Sequence, residues 1–196
     1  MTVVYRQPPP PHVKRWTKAE YMRMVECGSF NENDHFYLFR GELIEMSPMH
    51  TPHAQSSVKT TKLLFSIFDI GEVDIRVQLP FDAPGQSMPE PDFLVCTTND
   101  GRRSPHPSTA ILIIELSDSS LAHDRDKTIE YAAASVQEYW IVDLNARCVE
   151  VYRNPVADHT AEFGFRYPTP IIVKENESIS PLALPQTIVK VADLLP

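Results

Sequence analysis

Apolar and polar residues change their period several times along this chain, and the changes mark out its elements. Thr17 followed by Glu20 forms a capping-box pattern, Tyr21, Met24 and Val25 supply an apolar stripe, and Gly28 stands where a helix would stop. The spacing predicts a helix over 18–27. The runs 36–39 and 42–47 are strand-like and joined by Arg40-Gly41, which predicts a hairpin. Thr51-Pro52 supplies an N-cap with proline at the first helical position, and Ala54, Val58, Thr61, Phe65 and Phe68 recur at helical spacing until Gly71, so a long second helix follows. Val73, Ile75, Val77 and Leu79 then alternate with Asp74, Arg76 and Gln78, the period of a strand with one buried face.

A turn at 83–91 leads into a strand over 92–97, and the loop 98–109, with Asn99-Asp100-Gly101 and two prolines, is read as irregular. Ala110 to Ser117 is the most apolar segment and the expected central strand. A helix over about 124–135 separates it from a strand at 138–143, a strand–helix–strand unit suited to parallel pairing. A turn at 144–147 leads to a strand at 148–153, and 162–167, 170–174 and 186–195 read as further strands and a terminal turn. The predicted core is mixed α/β. Residues 1–16, with Pro8 to Pro11, are expected to form a polyproline-rich arm, and 17–196 a single domain.

Composition narrows the function classes. With 42% hydrophobic and 22% charged residues the chain is ordinary globular material. Its longest apolar run, Ala110 to Ile114, is far too short to cross a bilayer, and the N-terminus lacks the apolar core of a signal peptide, so the expected location is cytoplasmic. Cys27, Cys96 and Cys148 contain no CxxC pair and are expected to be buried free thiols. A formal net charge of −8 means that any contact with nucleic acid must be local, because such affinity comes mainly from Lys and Arg.

Strand parity puts Ile113, Glu115 and Ser117 on one face and Ile114 and Leu116 on the other, so Glu115 is a charge inside an apolar strand. A buried carboxylate must be neutralised, hydrogen-bonded or bound to a cation. Asp92, at the head of the strand 92–97, invites the same argument more weakly. Two carboxylates from neighbouring strand ends, with a backbone carbonyl beside them, are hard oxygen donors suited to Mg²⁺, with Mn²⁺ as substitute. Such a site activates water for phosphodiester hydrolysis, and a lysine can orient that water or steady the charged transition state.

Asp92, Glu115, Lys127, Tyr131 and Glu138-Tyr139-Trp140, with Gly41-Glu42-Leu43, Met46-Ser47-Pro48, His53, Gln78 and Pro91-Asp92, resemble the Uma-type group of restriction-endonuclease-like proteins in the PD-(D/E)XK nuclease superfamily. The resemblance covers roughly 36–153. It implies an α/β fold with a restriction-endonuclease-like mixed sheet flanked by helices, and a metal site built from Asp92, Glu115 and the backbone carbonyl of Leu116. The parent superfamily carries its lysine two residues after the glutamate, where this chain has Ser117; the resemblance implies Lys127, on the following helix, instead. Relatives often have glutamate where Tyr37 stands and glycine where Ser135 stands.

Other assignments follow from position. The stripe Ile129, Ala132, Ala133 and Val136 lies nearly opposite Lys127 at about 100° per residue, so packing by that stripe would aim the lysine away from the sheet; Tyr131 and Ala134 share its face. Lys127 could equally pair with Asp124 on the helix surface. Tyr131 reads as a core aromatic or an accessory group, and Glu42 as an accessory carboxylate for a second metal. His50 and His53 lack the glutamate of a zinc motif; His53 is either an exposed helix residue or a phosphate contact. Arg102 and Arg103 form the best local basic pair for a DNA backbone. The expected activity is Mg²⁺-dependent cleavage of DNA. The alternatives are a non-catalytic binding or assembly module on the same fold, and hydrolysis of RNA. Two-strand cutting asks for two sites, so a homodimer is among the expected states, although the sequence has no dimer signature.

Overall fold

The computed structural model describes residues 13–31, 34–46, 48–98 and 106–196. Most of the proline-rich arm, most of the 98–109 loop, and Arg102 and Arg103 within that loop lie outside the described residues.

Helix α1 (Lys18–Glu26) starts as its sequence predicts: Thr17 and Glu20 close a reciprocal capping box that satisfies two backbone donors of the first turn. Strands β1 (Phe36–Phe39) and β2 (Glu42–Glu45) form an antiparallel hairpin. Its two turn residues, Arg40 and Gly41, both have positive φ, the backbone twist that two-residue hairpins favour. A Cβ on Gly41 would also lie 3.0 Å from that of Arg15 and 3.1 Å from the Trp16 carbonyl oxygen. The second strand is shorter than predicted, ending at Glu45.

Helix α2 (Thr51–Ile67) and strand β3 (Val73–Val77) precede β4 (Phe93–Thr97) and β5 (Leu112–Ser117). Two short helices, α3 (Leu121–Asp126) and α4 (Thr128–Ala133), stand where one was predicted, and β6 (Glu138–Asp143) and β7 (Cys148–Arg153) have their predicted limits. The C-terminal pieces are β8 (Val156–Ala157), β9 (Phe165–Arg166), β10 (Ile171–Lys174), β11 (Ser178–Ile179), β12 (Val189–Lys190) and a 3-10 turn at Val191–Asp193; β8 and β11 lie outside the predicted segments, and the others fall within them but are shorter.

Six strands form a mixed sheet in the order β10-β7-β6-β5-β4-β3, in which β5 and β6 are parallel and every other pair is antiparallel. The central pair is fully buried, as expected for a parallel pair covered on both faces. One face of the sheet, with Phe93, Val95, Ile114, Leu116, Trp140 and Val142, packs under Leu64 and Phe68 at the end of the α2 region and under the C-terminal Leu194 and Leu195. The opposite face, with Leu94, Ile113, Tyr139, Ile141 and Tyr152, packs under Tyr131 and Ala132 of α4. Tyr131 meets Phe81 and Tyr139 edge-on, the geometry that ring quadrupoles favour.

Helix α2 turns an unexpected face inward. Its buried residues are Ser56, Thr60 and Leu64, while Val58 and Phe65 of the predicted apolar series are about half exposed, at 55% and 51%. The Ser56 hydroxyl donates to the Leu194 carbonyl at 2.5 Å, and Lys59 donates to the Leu195 carbonyl. The C-terminal segment thus supplies acceptors that a small polar face satisfies and a Val/Phe face would leave orphaned. Cys96 and Cys148 are buried thiols, but Cys27, just past the end of α1, is exposed.

Candidate metal centre

In the β4–β5 register Leu94 faces Ile113 and Phe93 faces Ile114, which sets Asp92 opposite Glu115 on the α3–α4 side of the sheet. Both are buried. The Asp92 backbone N–H donates to Glu115 Oε2 at 3.2 Å, and the Leu116 N–H donates to Asp92 Oδ2 at 2.8 Å, so the two carboxylates are fixed by the sheet backbone. Asp92 Oδ2 also lies 3.2 Å from His53 Nε2, and its Oδ1 accepts from the Gln78 amide at 3.3 Å. Gln78, the residue after β3, has φ of 49°, a left-handed conformation that turns the chain out of the sheet.

Lys127 sits at the junction of α3 and α4, 5% exposed, with its ammonium donating to Glu115 Oε1 at 2.9 Å and to Asp124 Oδ1 at 3.1 Å. The apolar stripe opposite Lys127 therefore does not by itself decide the packing of this segment. Asp124, Lys127 and Tyr131 are buried along with Ala132 and Val136 of the stripe, while Ile129 and Ala133 are only half-buried. A lysine can be desolvated here because two carboxylates take its hydrogen bonds. The pairing with Asp124 read from the sequence is present, but buried rather than on the helix surface. Tyr131 is both core aromatic and site neighbour: its hydroxyl donates to Glu115 Oε1 at 3.1 Å.

Burial raises the Glu115 carboxyl to about 7, with Asp124 and Asp92 pushing the same way and Lys127 opposing. For Lys127, burial acts to lower its pKa, but Glu115 and Asp124 outweigh it and hold the ammonium above the usual lysine range. The hydrogen bond to Asp92 raises His53. Burial and the nearby Lys127 charge lower His123, which is bonded through Nε2 to the Tyr37 hydroxyl. Two buried carboxylates, Glu115 and Asp124, thus hold one ammonium, and a third, Asp92, lies beside Glu115.

These groups open onto a cavity of about 310 Å³ walled also by Tyr37, His53, Gln78, Glu90 and His123. Glu90 is a further carboxyl in the wall, raised to about 7 by burial. Glu90 and His123 have no role in the sequence reading, and Asp124 only that of a surface partner of Lys127. The signal available was the Asp124–Lys127 spacing and the second acidic residue in Pro89-Glu90-Pro91-Asp92. Glu42 is a correction: it is exposed, pairs with Arg15 at 2.5 Å and does not line the cavity, because the hairpin turn faces it toward residues 15–16, whereas Glu45 at the far end of β2 reaches the wall. His53 is turned onto Asp92 and half-buried instead of standing free on the helix surface.

Among the described residues no three His, Cys, Asp or Glu side chains converge as a closed metal cage. The pair Asp92 and Glu115 nonetheless fits a hard divalent cation. Their donors are all oxygen, they stand on facing strand positions and both line the cavity, and Mg²⁺ is commonly held by one or two carboxylates while it keeps several waters. The surplus of negative charge around Lys127 acts in the same direction.

No curated protein sequence matches this chain. Among solved structures the fold matches the crystal structure of "a putative nuclease belonging to DUF820" from Anabaena variabilis ATCC 29413, with a TM-score of 0.67 at 12% identity, covering 91% of this chain and 96% of that one. The likeness establishes the mixed α/β fold. Among the described residues no helix is long and apolar enough to cross a membrane. The model of the Uma2 family, described as "Putative restriction endonuclease", matches residues 19–192, and the chain belongs to that family.

Proposed function

We propose that this chain is an endonuclease that hydrolyses DNA phosphodiester bonds with Mg²⁺, or Mn²⁺ in its place. The observation that carries this is the facing of Asp92 and Glu115 at one end of the β4–β5 pair, with the Lys127 ammonium held between Glu115 and Asp124, beside an open cavity. Asp92, Glu115 and the Leu116 backbone carbonyl are the groups that would hold the cation. When bound, it lowers the pKa of a water and offsets charge on the phosphate. Lys127 is held 2.9 Å from Glu115 and donates to the attacking water or to a phosphate oxygen as charge builds there. The Tyr131 hydroxyl fixes Glu115, and the Leu116 N–H fixes Asp92, so neither carboxylate needs to reorganise during the reaction.

Purified protein incubated with supercoiled plasmid in Mg²⁺ or Mn²⁺ should nick and linearise it, and Asp92→Asn and Glu115→Gln should abolish the activity. Equal cleavage by wild type and both variants, or none with either ion, refutes the proposal. Matched RNA in parallel reactions identifies the polymer.

A second reading is favoured by one observation. Asp92 and Glu115 already receive hydrogen bonds from Leu116, Gln78, Lys127 and Tyr131, a network that closes without a cation. A binding or assembly module that has given up turnover would keep that network. Calorimetric titration with Mn²⁺ separates the two: binding that Glu115→Ala abolishes supports the enzyme, and no binding supports the module.

A further inference from the structure

The chain carries 26 Asp and Glu against 18 Lys and Arg, yet no carboxylate occurs from Met46 to Phe68. This stretch includes the whole of α2 and carries Lys59, Lys62, His50 and His53. Its charge is placed beside the carboxylate cavity. Met49 and His50 line that cavity and also line a second groove, bounded by Thr51, Gln55, Lys59 and Pro196, so the two are contiguous. Helix α2 begins there, with His50 as an N-cap that makes no side-chain capping bond and with Pro52 in the first turn. The free backbone N–H groups and the positive end of the helix dipole therefore face the junction of the two depressions.

Along the helix, Thr51, Gln55, Lys59, Lys62 and Ser66 are all exposed and fall on one side at helical spacing. The row spans about 22 Å at the rise of an α-helix, the length of about six base pairs of duplex. A polyanion approaching the carboxylate cavity is repelled by the cavity and by the net charge of the chain. It needs a local track of opposite charge leading to the site, and the row on α2 is such a track.

We infer that the exposed face of α2, from Thr51 to Lys62, with the adjoining groove at Pro196, holds the sugar-phosphate backbone of a DNA duplex on one side of the scissile phosphate. This inference rests on the nuclease reading for its substrate but not for its test, because binding is measured without cleavage. Lys62 and Gln55 carry most of the test. No hydrogen bond or ion pair involves either side chain among the described residues, so Lys62→Gln and Gln55→Glu break no contact of the fold there; Lys59, which donates to the Leu195 carbonyl, is the less clean choice.

Fluorescence anisotropy with a labelled 20-base-pair duplex in Ca²⁺, over a salt series, gives the affinity and its salt dependence. Each phosphate contact adds about 0.9 to the slope of log K against log salt. Lys62→Gln should lower the slope by about one and weaken binding at low salt severalfold, and Gln55→Glu should weaken binding comparably. Lys174→Gln on β10 should leave both quantities unchanged. The inference is overturned if the wild type does not bind duplex, or if Lys62→Gln and Gln55→Glu bind as the wild type does. It is also overturned if sedimentation shows a dimer that Val58→Ser and Phe65→Ser dissociate while DNA affinity is untouched, since a second copy then occupies this face. Plasmid cleavage is scored separately. A chain that binds through Lys62 without cutting keeps the track and loses the nuclease reading; one that cuts but binds equally well without Lys62 does the reverse.

Discussion

Lys127→Met removes the ammonium that the buried Glu115 and Asp124 share while keeping a side chain of similar length. The wild-type lysine is 5% exposed and donates to Glu115 at 2.9 Å and to Asp124 at 3.1 Å. Its loss leaves those oxygens without their cation in a place water reaches poorly. Breaking a buried pair from one side costs about 3–5 kcal/mol. For a chain of this length each kcal/mol lowers Tm by about 2–4 °C, so a fall of about 6–20 °C is expected in calorimetry at pH 7. Part of the loss should be recovered in Lys127→Met/Glu115→Gln, because one uncompensated carboxylate is then neutral, and the cycle with the single variants isolates the coupling. Lys127→Arg, which keeps the charge, should lie between wild type and Lys127→Met. A fall below about 2 °C for Lys127→Met, or additive effects in the double variant, would refute the role of Lys127 as the internal counter-ion of Glu115.

Three further outcomes follow from particular contacts. Glu90 keeps its proton up to about 7 in the folded protein against an ordinary 4.5, so folding loses stability as pH rises between those values and the loss persists above them; the urea-unfolding advantage of Glu90→Gln over wild type should therefore grow from pH 4 to pH 8, and a flat difference would contradict this. Arg40 reaches from the hairpin turn to Glu130 Oε1 at 2.6 Å and to the Asp126 side chain, and Glu130 is fully buried, so Arg40→Met should cost about 2–3 kcal/mol in urea unfolding, less than a fully buried pair because Arg40 keeps some exposure. Gly85 has φ of 68°, and a Cβ there would lie 2.9 Å from Phe163 Cζ; Gly85→Ala should cost about 1–2 kcal/mol, and an unchanged Tm would show that the loop relaxes.

What one segment's own pattern encodes was legible in the sequence. The capping box of α1, the limits of β6 and β7, and the parity that puts Glu115 on the same face as Ile113 depend on neighbours a few residues away, and all stand as read. The facing of Asp92 and Glu115 was implied by the resemblance and by two strands beginning and ending with carboxylates. Side-chain direction on helices was not legible. Packing by the apolar stripe of 129–136 would have aimed Lys127 away from the sheet, with Tyr131 and Ala134 marking the other face, and the apolar series of α2 suggested Val58 and Phe65 as its inner face. Helix α2 turns otherwise, and the α3–α4 segment buries Lys127 and Tyr131 as well as Ala132 and Val136 of the stripe, because partners distant in sequence decide: Glu115 and the Tyr139 ring for the α3–α4 segment, the Leu194 and Leu195 carbonyls for α2. Period determines which residues of an element share a face. Only the tertiary structure decides which face meets the core, since a buried charge or hydroxyl is tolerated wherever another segment completes its hydrogen bonds.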